Sequence, residues 1–336
     1  MPKAADKGPM LLIHGLGADS SSWMKKTDEE RETLGMQYAQ EGYDVWYGNM
    51  RGSGPSRTHK LDYYDADGWL HRDGFFWEFD YNDLAEEDLP AMIKKVYEVS
   101  GHCKKVTVIG HSLGATILPN GLSKSEHAKH YVSQAISMAP CFAPDFIGMG
   151  PGRPLSYSES KLLGAFIDFY SMKSLFGSDW DDNVSAICRW ARYSSSAAEV
   201  CDLLRSKDFN LYSPENPKGW KEVSSRLLQH LNENVRLGDY RKYGYWSNDE
   251  LSADLSQIEV PVSVMHGTKD TLCKRAHQQS YLDLIPNLES QIDIEGAGHQ
   301  YFTGANGADF KAALDKMLTH SSEETPLEIC ERSFVW

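Results

Sequence analysis

The segment KVTVIGHSLGA at residues 105–115 is the part of this sequence that most restricts its fold. KVTVI is typical of a buried strand, and an apolar helical pattern follows the segment. Gly110 and Gly114 stand two residues to either side of Ser112. If the chain turned sharply at Ser112, a side chain at either glycine would collide with the strand or the helix. The segment therefore predicts a strand, a tight turn that exposes the Ser112 hydroxyl, and a helix whose N-terminus points at that hydroxyl.

Strand, loop and helix patterns alternate along most of the chain and predict a mostly parallel sheet covered by helices. A helix is expected between residues 80 and 100, where Pro90 either opens it or kinks a longer one. Its apolar face holds residues with helical spacing, namely Leu89, Met92, Ile93, Val96 and Tyr97. The predicted strands are 9–13, 43–49, 105–110, 131–140, 260–267 and 289–296, and a last helix is predicted over about 308–319.

Residues 141–257 break this alternation, because they are rich in aromatic side chains and poor in strand patterns. The segment is too long for a plain loop between two sheet strands. We therefore predict a core made of residues 1–140 and 258–336, with 141–257 inserted as a mainly helical cap over the carboxyl edge of the sheet. The aromatic residues of the cap either line a pocket or pack against the core, and the two roles are compatible.

Composition excludes several function classes. The net charge is −14, which argues against a nucleic-acid-binding protein. The mean hydropathy is −0.50, and the sequence contains no uninterrupted apolar run of the ~20 residues that a membrane helix needs. The six cysteines form no CxxC pair, so a zinc site, and with it a bound metal, is not expected. Most cysteines are expected to be ordinary buried residues, and Cys188 and Cys201 are the pair that we consider for a disulfide.

A serine hydroxyl is a poor nucleophile unless a base removes its proton and an acid orients that base. After a G-x-S-x-G turn, the acid and then the histidine are expected to follow late strands of the sheet. Asp270 follows VPVSVMHGTK, and His299 follows QIDIEGAG. We therefore expect Ser112, Asp270 and His299 to form a catalytic triad. The rival residues are His277 in a predicted helix, His266 and Asp293 in predicted strands, and His111, whose side chain is expected to point away from the site.

Acyl transfer through Ser112 also requires backbone N–H groups that bind an oxyanion. The amide of Leu113, next to the nucleophile, is one expected donor. The other is expected in the HGLG loop, at Leu16, with Gly17 as the alternative. For His14, in the same loop, we prefer a structural role to a catalytic one.

Three segments resemble the acid lipases, the gastric and lysosomal group of α/β-hydrolases: LLIHGLGADSSSW, GYDVWYGNMRGSGPSRTH and FFWEFDYNDLAEEDLPAMI. The resemblance implies the α/β-hydrolase fold, hydrolysis of triacylglycerols or sterol esters by the three residues above, and no cofactor. Two features depart from the family pattern. Leu113 stands where the family usually has Gln, and the family carries a further strand-bearing segment before the HGLG loop. The first residues are not a signal peptide, so we expect a secreted or lysosomal protein if the front of the chain is truncated and a cytoplasmic one if the chain is complete.

Two other functions fit the same motifs. A soluble carboxylesterase or thioesterase would use the same three residues on smaller esters. A non-catalytic binding protein would retain the fold without the activity, since fold alone does not establish function. An epoxide hydrolase or dehalogenase is disfavoured, because those α/β-hydrolases carry Asp at the position of Ser112.

Overall fold

A six-stranded, fully parallel sheet forms the centre of the fold, in the order β2-β1-β3-β4-β7-β8. The computed structural model describes residues 6–24, 32–56, 77–101, 104–142, 174–175, 223–237, 253–304 and 307–319. In chain order the strands are β1 (Gly8–Ile13), β2 (Tyr43–Gly48), β3 (Val106–His111), β4 (Val132–Met138), β5 (Ser174–Leu175), β6 (Val223–Ser224), β7 (Val262–Gly267) and β8 (Leu288–Ile294). The predicted strands of the sheet are thus confirmed, with ends that differ by one or two residues.

Helices cover both faces of this sheet, as parallel sheets require. The α-helices are α1 (Leu34–Gln40), α2 (Tyr81–Asp83), α3 (Leu89–Val99), α4 (Leu113–Lys124), α5 (Glu126–Tyr131), α6 (Ser225–Leu237), α7 (Arg275–Leu282), α8 (Tyr301–Gly304) and α9 (Ala308–Thr319). Short 3-10 helices span Ser20–Met24 and Leu255–Gln257. Across the described ranges, no helix combines the length and the apolar composition that crossing a bilayer requires.

Alternate side chains of the central strands belong to two separate apolar clusters. On β1, Leu11 and Ile13 join the cluster beneath α3 and α4, whereas Met10 and Leu12 join the cluster beneath α1 and α9. Strands buried on both faces read as continuous apolar runs, which is why the sequence around β1 and β3 predicts them so well.

The helix predicted for residues 80–100 contains a π-helical turn, Leu84–Asp88, between α2 and α3. Within this turn the amide of Leu89 donates to the carbonyl of Leu84, five residues earlier. Pro90, at the second position of α3, has no N–H to donate, so it opens α3 inside a longer helical stretch. On the predicted apolar face, Leu89 and Ile93 are fully buried.

Part of the predicted cap lies within the described residues. Strands β5 and β6 pair antiparallel, and α6 follows β6 directly. The Ser224 hydroxyl lies 2.7 Å from the carbonyl oxygens of both Trp77 and Phe79, and it accepts a hydrogen bond from the amide of Leu227 at 3.1 Å. The start of α6 is therefore anchored on the segment that leads into α2. Residues 143–173, 176–222 and 238–252, with Cys188 and Cys201 among them, lie outside the described residues, so the cap stays a prediction.

Candidate active site

The turn at Ser112 has the tight geometry that its flanking glycines predict. Ser112 has φ 54° and ψ −116°, in a region of backbone space that L-residues seldom adopt. A Cβ on Gly110 would lie 2.4 Å from the carbonyl oxygen of Gly114, and one on Gly114 would lie 2.5 Å from the carbonyl oxygen of His14. Such strain costs about 1–3 kcal/mol and persists only where the surrounding structure enforces it.

Hydrogen bonds from both sides hold this strained residue. The amide of Ser112 donates to the carbonyl of Met138 at the end of β4, at 3.0 Å. The carbonyl of Ser112 accepts from the amide and the hydroxyl of Thr116, at 2.9 and 2.8 Å. The Ser112 side chain is therefore aimed at the carboxyl edge of the sheet by β3, β4 and α4 together.

The structure brings the three predicted catalytic residues into one chain of hydrogen bonds. Nε2 of His299 lies 2.8 Å from the Ser112 hydroxyl, and its Nδ1 lies 2.8 Å from Oδ2 of Asp270. These contacts join residues 187 and 29 positions apart in sequence. The arrangement allows His299 to accept the hydroxyl proton while Asp270 holds the opposite ring nitrogen.

Asp270 is held as a charged acceptor. Its Oδ1 accepts hydrogen bonds from the amides of Leu272 at 3.0 Å and Cys273 at 2.8 Å. Burial alone would raise the pKa of this carboxyl, which is only 5% exposed. The hydrogen bond from His299 and those two amides outweigh burial and keep the pKa of Asp270 below its ordinary value. An ionised Asp270 requires the proton of His299 to sit on Nδ1, which leaves Nε2 free to accept from Ser112.

The rival residues lie elsewhere. His277 is exposed on α7, and Asp293 on β8 forms an ion pair with Arg275. His266 is buried at the end of β7 with neither ring nitrogen hydrogen-bonded within the described residues. None of the three has a hydrogen bond to Ser112 or His299 among the described contacts.

The His111 side chain contacts the loop that carries His299, contrary to the prediction from sequence. We expected its side chain to point away from the site, but its Nε2 lies 2.8 Å from the carbonyl oxygen of His299. A carbonyl only accepts, so Nε2 of His111 carries the proton. The side chain is buried, and its ring centroid lies 5.1 Å from that of His299. His111 therefore anchors the backbone of the loop that carries His299.

We expect His111→Phe to lower kcat about tenfold, because the carbonyl of His299 loses the hydrogen bond from Nε2 of His111. His111→Gln retains an N–H group at a similar reach and should recover most of this loss. The measurement is kcat on a soluble p-nitrophenyl ester, with circular dichroism to verify folding. Equal kcat values for the Phe and Gln variants would contradict this role.

The residues of both expected oxyanion donors line one pocket. Leu16, in the loop after β1, and Leu113, the first residue of α4, both line it. The amides of Leu16, Gly17 and Leu113 donate no hydrogen bond within the described part of the chain, so each is available to an oxyanion. The pocket is open to solvent, and the polar residues His14, Arg51, Ser53 and Ser224 also line it. Its larger apolar side chains are Leu16, Met50, Phe79, Leu84, Leu113, Val223 and Leu227.

His14 has hydrogen bonds that fit the structural role expected of it. Its Nδ1 donates to the carbonyl of Gly15 at 2.8 Å, and its Nε2 accepts from the amide of Met50 at 3.2 Å. Nε2 also lies 2.8 Å from the Ser53 hydroxyl. The imidazole is therefore neutral, and burial lowers the pKa of His14 from 6.5 to about 4. His14 joins the loop after β1 to the loop after β2.

His266 is a second histidine that is buried in the neutral form. Burial, assisted by the positive charge of Arg275, lowers the pKa of His266 to about 4. An unfolded histidine has a pKa near 6.5. The stability that comes from keeping this ring neutral is complete above pH 6.5 and is lost as the pH falls from 6.5 towards 4.

We expect His266→Phe to make the protein less sensitive to acid. Between pH 7.5 and 4.5, the drop in unfolding free energy should shrink by about 2–3 kcal/mol, since one proton fewer binds on unfolding. Urea denaturation at both pH values measures this drop, and His277→Phe, at an exposed position, is the control. If the unfolding free energy falls as much between pH 7.5 and 4.5 in His266→Phe as in the wild type, His266 is not buried in the neutral form.

A disulfide joins Cys141 and Cys273 beside this site. This pair, 132 positions apart, is not the pair Cys188 and Cys201 that the sequence suggests, and those two lie outside the described residues. Each cysteine of the disulfide follows the carboxyl end of a strand, β4 or β7, and those strands are neighbours in the sheet. The carboxyl ends of parallel neighbours meet at one edge, which is the signal that would have identified the pair.

One group of potential metal ligands occurs in the described ranges, formed by Asp270, Cys273 and His299. Asp270 and His299 are hydrogen-bonded to each other, and the sulfur of Cys273 is part of the disulfide. A disulfide sulfur is not the thiolate that binds metals. The group therefore fits the hydrogen-bonded arrangement above better than a metal centre.

Comparison with known proteins identifies the family. A model of the alpha/beta hydrolase fold family matches residues 8–302. Human lysosomal acid lipase/cholesteryl ester hydrolase is 34% identical, over 84% of this chain and 73% of that protein. Rat gastric triacylglycerol lipase is 27% identical, over 92% of this chain and 77% of that protein.

A solved structure supports the same fold. The monoglyceride lipase of Saccharomyces cerevisiae, crystallised as a soluble variant with a substrate analogue, superimposes with a TM-score of 0.59 at 15% identity. The match covers 97% of this chain and 90% of that one. With the fold, the geometry around Ser112 and these relatives in agreement, the chain belongs to the α/β-hydrolase family and, within it, to the acid lipases typified by the lysosomal and gastric enzymes.

Proposed function

We propose that this protein hydrolyses carboxylic ester bonds of lipids, triacylglycerols or sterol esters, with Ser112 as the nucleophile. The observation that carries the proposal is the continuous chain of hydrogen bonds from Ser112 through His299 to Asp270, each 2.8 Å long. Relatives named as lipases and as a cholesteryl ester hydrolase supply the substrate class.

The proposed reaction has two steps. In the first, His299 takes the hydroxyl proton as Ser112 attacks the ester carbonyl, and the alcohol leaves after receiving that proton. In the second, His299 activates a water molecule, which releases the fatty acid from Ser112. Asp270 remains ionised throughout and stabilises the imidazolium. No cofactor takes part in either step.

The amides of Leu16 and Leu113 are the proposed oxyanion donors. Supporting this assignment, both residues border one pocket and neither amide is engaged elsewhere in the described residues. Losing one such donor typically costs about 3–4 kcal/mol of transition-state stabilisation. Since both donors are backbone groups, Leu in place of the family's usual Gln at position 113 changes the wall of the pocket without removing a donor.

An apolar acyl chain fits the pocket better than a polar one. Residues from two parts of the chain line it: Phe79 and Leu84 come from the core, and Val223 and Leu227 come from the inserted region. We propose that residues 141–257 form the predicted cap and that its α6 completes the acyl-binding wall. The anchoring of Ser224 to the carbonyls of Trp77 and Phe79 supports this role.

A chain-length series tests the substrate class. The substrates are p-nitrophenyl esters with acyl chains of two to eighteen carbons, with emulsified triolein and cholesteryl oleate alongside. We expect activity on long acyl chains and on the emulsions. Turnover limited to short soluble esters would instead identify a carboxylesterase, and no turnover of any ester or thioester would support a non-catalytic protein.

We also propose that the protein works in a secretory or lysosomal compartment. The disulfide between Cys141 and Cys273 supports this, because such bonds persist in oxidising environments. Relatives named lysosomal acid lipase point the same way. Localisation of the tagged full-length protein by microscopy tests the proposal, and a diffuse cytoplasmic signal would contradict it.

A further inference from the structure

We propose that the Cys141–Cys273 disulfide is a positioning element of the active site, so that full activity requires this pair to be oxidised. The inference rests on the proposed function, since it concerns how the catalytic acid of that site is held. It assigns to the two cysteines a role in turnover beyond general stability.

The first observation is where Cys273 lies. It is three residues after Asp270, is 1% exposed, and donates its amide to Oδ1 of Asp270 at 2.8 Å. Its sulfur lies 3.9 Å from Nε2 of His299. A displacement of Cys273 therefore removes one of the two amides that orient the carboxylate and moves atoms in contact with the base.

The second observation is where Cys141 lies. Its amide donates to the Thr116 hydroxyl at 2.8 Å, and that hydroxyl donates in turn to the carbonyl of Ser112 at 2.8 Å. Cys141 is thus connected to the strained turn at the nucleophile through one side chain. The disulfide closes a ring of contacts that passes from Ser112 through Thr116 and both cysteines to Asp270 and His299.

The third observation concerns the backbone around Asp270. The turn after β7 begins at Thr268 and Lys269. Their amides donate to the carbonyls of Ile294 and Ala297, so hydrogen bonds to the end of β8 and the loop after it hold the start of this turn. The end of the same turn, at Cys273, is held by the disulfide to Cys141, which follows β4. The two Cα atoms are 5.0 Å apart. Reduction therefore frees the end of the turn that carries the orienting amide of Cys273.

Reduction is a balanced thiol exchange. A thiolate of a dithiol such as dithiothreitol attacks one sulfur of the bond, and the other cysteine leaves as a thiol. The second thiol of the reagent then displaces the mixed disulfide. The reagent ends as a cyclic disulfide, and Cys141 and Cys273 end as thiols. Cys141 is only half-buried, which gives the reagent a point of attack.

The test measures kcat and KM of the full-length protein on p-nitrophenyl butyrate, before and after treatment with dithiothreitol. Alkylation and peptide mass mapping establish the state of the pair, and circular dichroism verifies folding at the assay temperature. We expect reduction to lower kcat about tenfold to a hundredfold with KM changed less than twofold, because the acid is still present but poorly oriented. Reoxidation should restore kcat.

The variant Cys141→Ser/Cys273→Ser is the matched control. It keeps the other cysteines, Cys103, Cys188, Cys201 and Cys330. We expect it to have the kcat of the reduced wild type and no response to dithiothreitol. If it retains the kcat of the oxidised wild type, or still responds to the reagent, the proposal is wrong.

A second measurement applies even if that variant does not fold. In an Asp270→Asn background the acid no longer functions, so reduction should change kcat less than twofold. A tenfold further loss in that background would show that the disulfide acts on general structure and not through Asp270. Failure of the two proposals is distinguishable: an inactive oxidised wild type overturns both, whereas an active one whose kcat survives verified reduction overturns only this inference.

Discussion

Ser112→Ala is expected to abolish ester hydrolysis while leaving the fold intact. Loss of the nucleophile in enzymes of this mechanism lowers kcat by about a million-fold. The Ser112 hydroxyl forms its described hydrogen bond only with His299, so its removal deletes one reactive group from the site. Alanine has the same backbone preferences as serine at φ 54°, and the flanking glycines that permit the turn remain in place.

The measurement is kcat on p-nitrophenyl butyrate, together with the melting temperature. Ser256→Ala, at an exposed position on the Leu255–Gln257 helix, is the matched control and should behave like the wild type. A Ser112→Ala protein that melts normally but keeps more than about 1% of the wild-type kcat would rule out the nucleophile assignment, because such a residue is worth orders of magnitude more.

Asp270→Asn is the second large effect, with an expected loss of about ten-thousand-fold in kcat. The amides of Leu272 and Cys273 donate to Oδ1, so the single oxygen of an asparagine will occupy that side. Its NH2 group then faces Nδ1 of His299, which must become an acceptor. The histidine proton moves to Nε2, where it can no longer take the proton of Ser112.

This variant keeps the shape of the side chain, so KM should change far less than kcat. Asp254→Asn, at an exposed position, is the control. Measured on the same ester, a loss smaller than tenfold would show that Asp270 is not the residue that sets the tautomer of His299. The next candidate would then be another carboxylate near the loop after β8.

The sequence predicts the local parts of this fold well. Gly110 and Gly114 identify the turn because their effect is steric and acts over a few residues, and the apolar runs of β1 and β3 identify the buried strands because both faces of the sheet are covered. The order of strands then brings the loops with Asp270 and His299 to the same edge as Ser112. The three residues could therefore be proposed together before any distance was known.

The parts that the sequence could not predict depend on contacts between distant segments. The hydrogen bond from His111 to the carbonyl of His299 joins residues 188 positions apart, and no local pattern marks it. The disulfide between Cys141 and Cys273 has the same character, because two loops must meet before the pairing is defined. Likewise, the π-helical turn before Pro90 reflects how the chain adapts to a missing N–H group, which a regular helical pattern does not reveal.

Reaction with a fluorophosphonate ester, followed by peptide mass mapping, tests the central claim most directly. The reagent forms a stable covalent adduct with a serine that an adjacent histidine activates. We predict a single adduct on Ser112, formed with the loss of ester hydrolysis in equal proportion, and no adduct in Ser112→Ala. Labelling of a different residue, or full labelling of Ser112 with hydrolysis unchanged, would contradict the account.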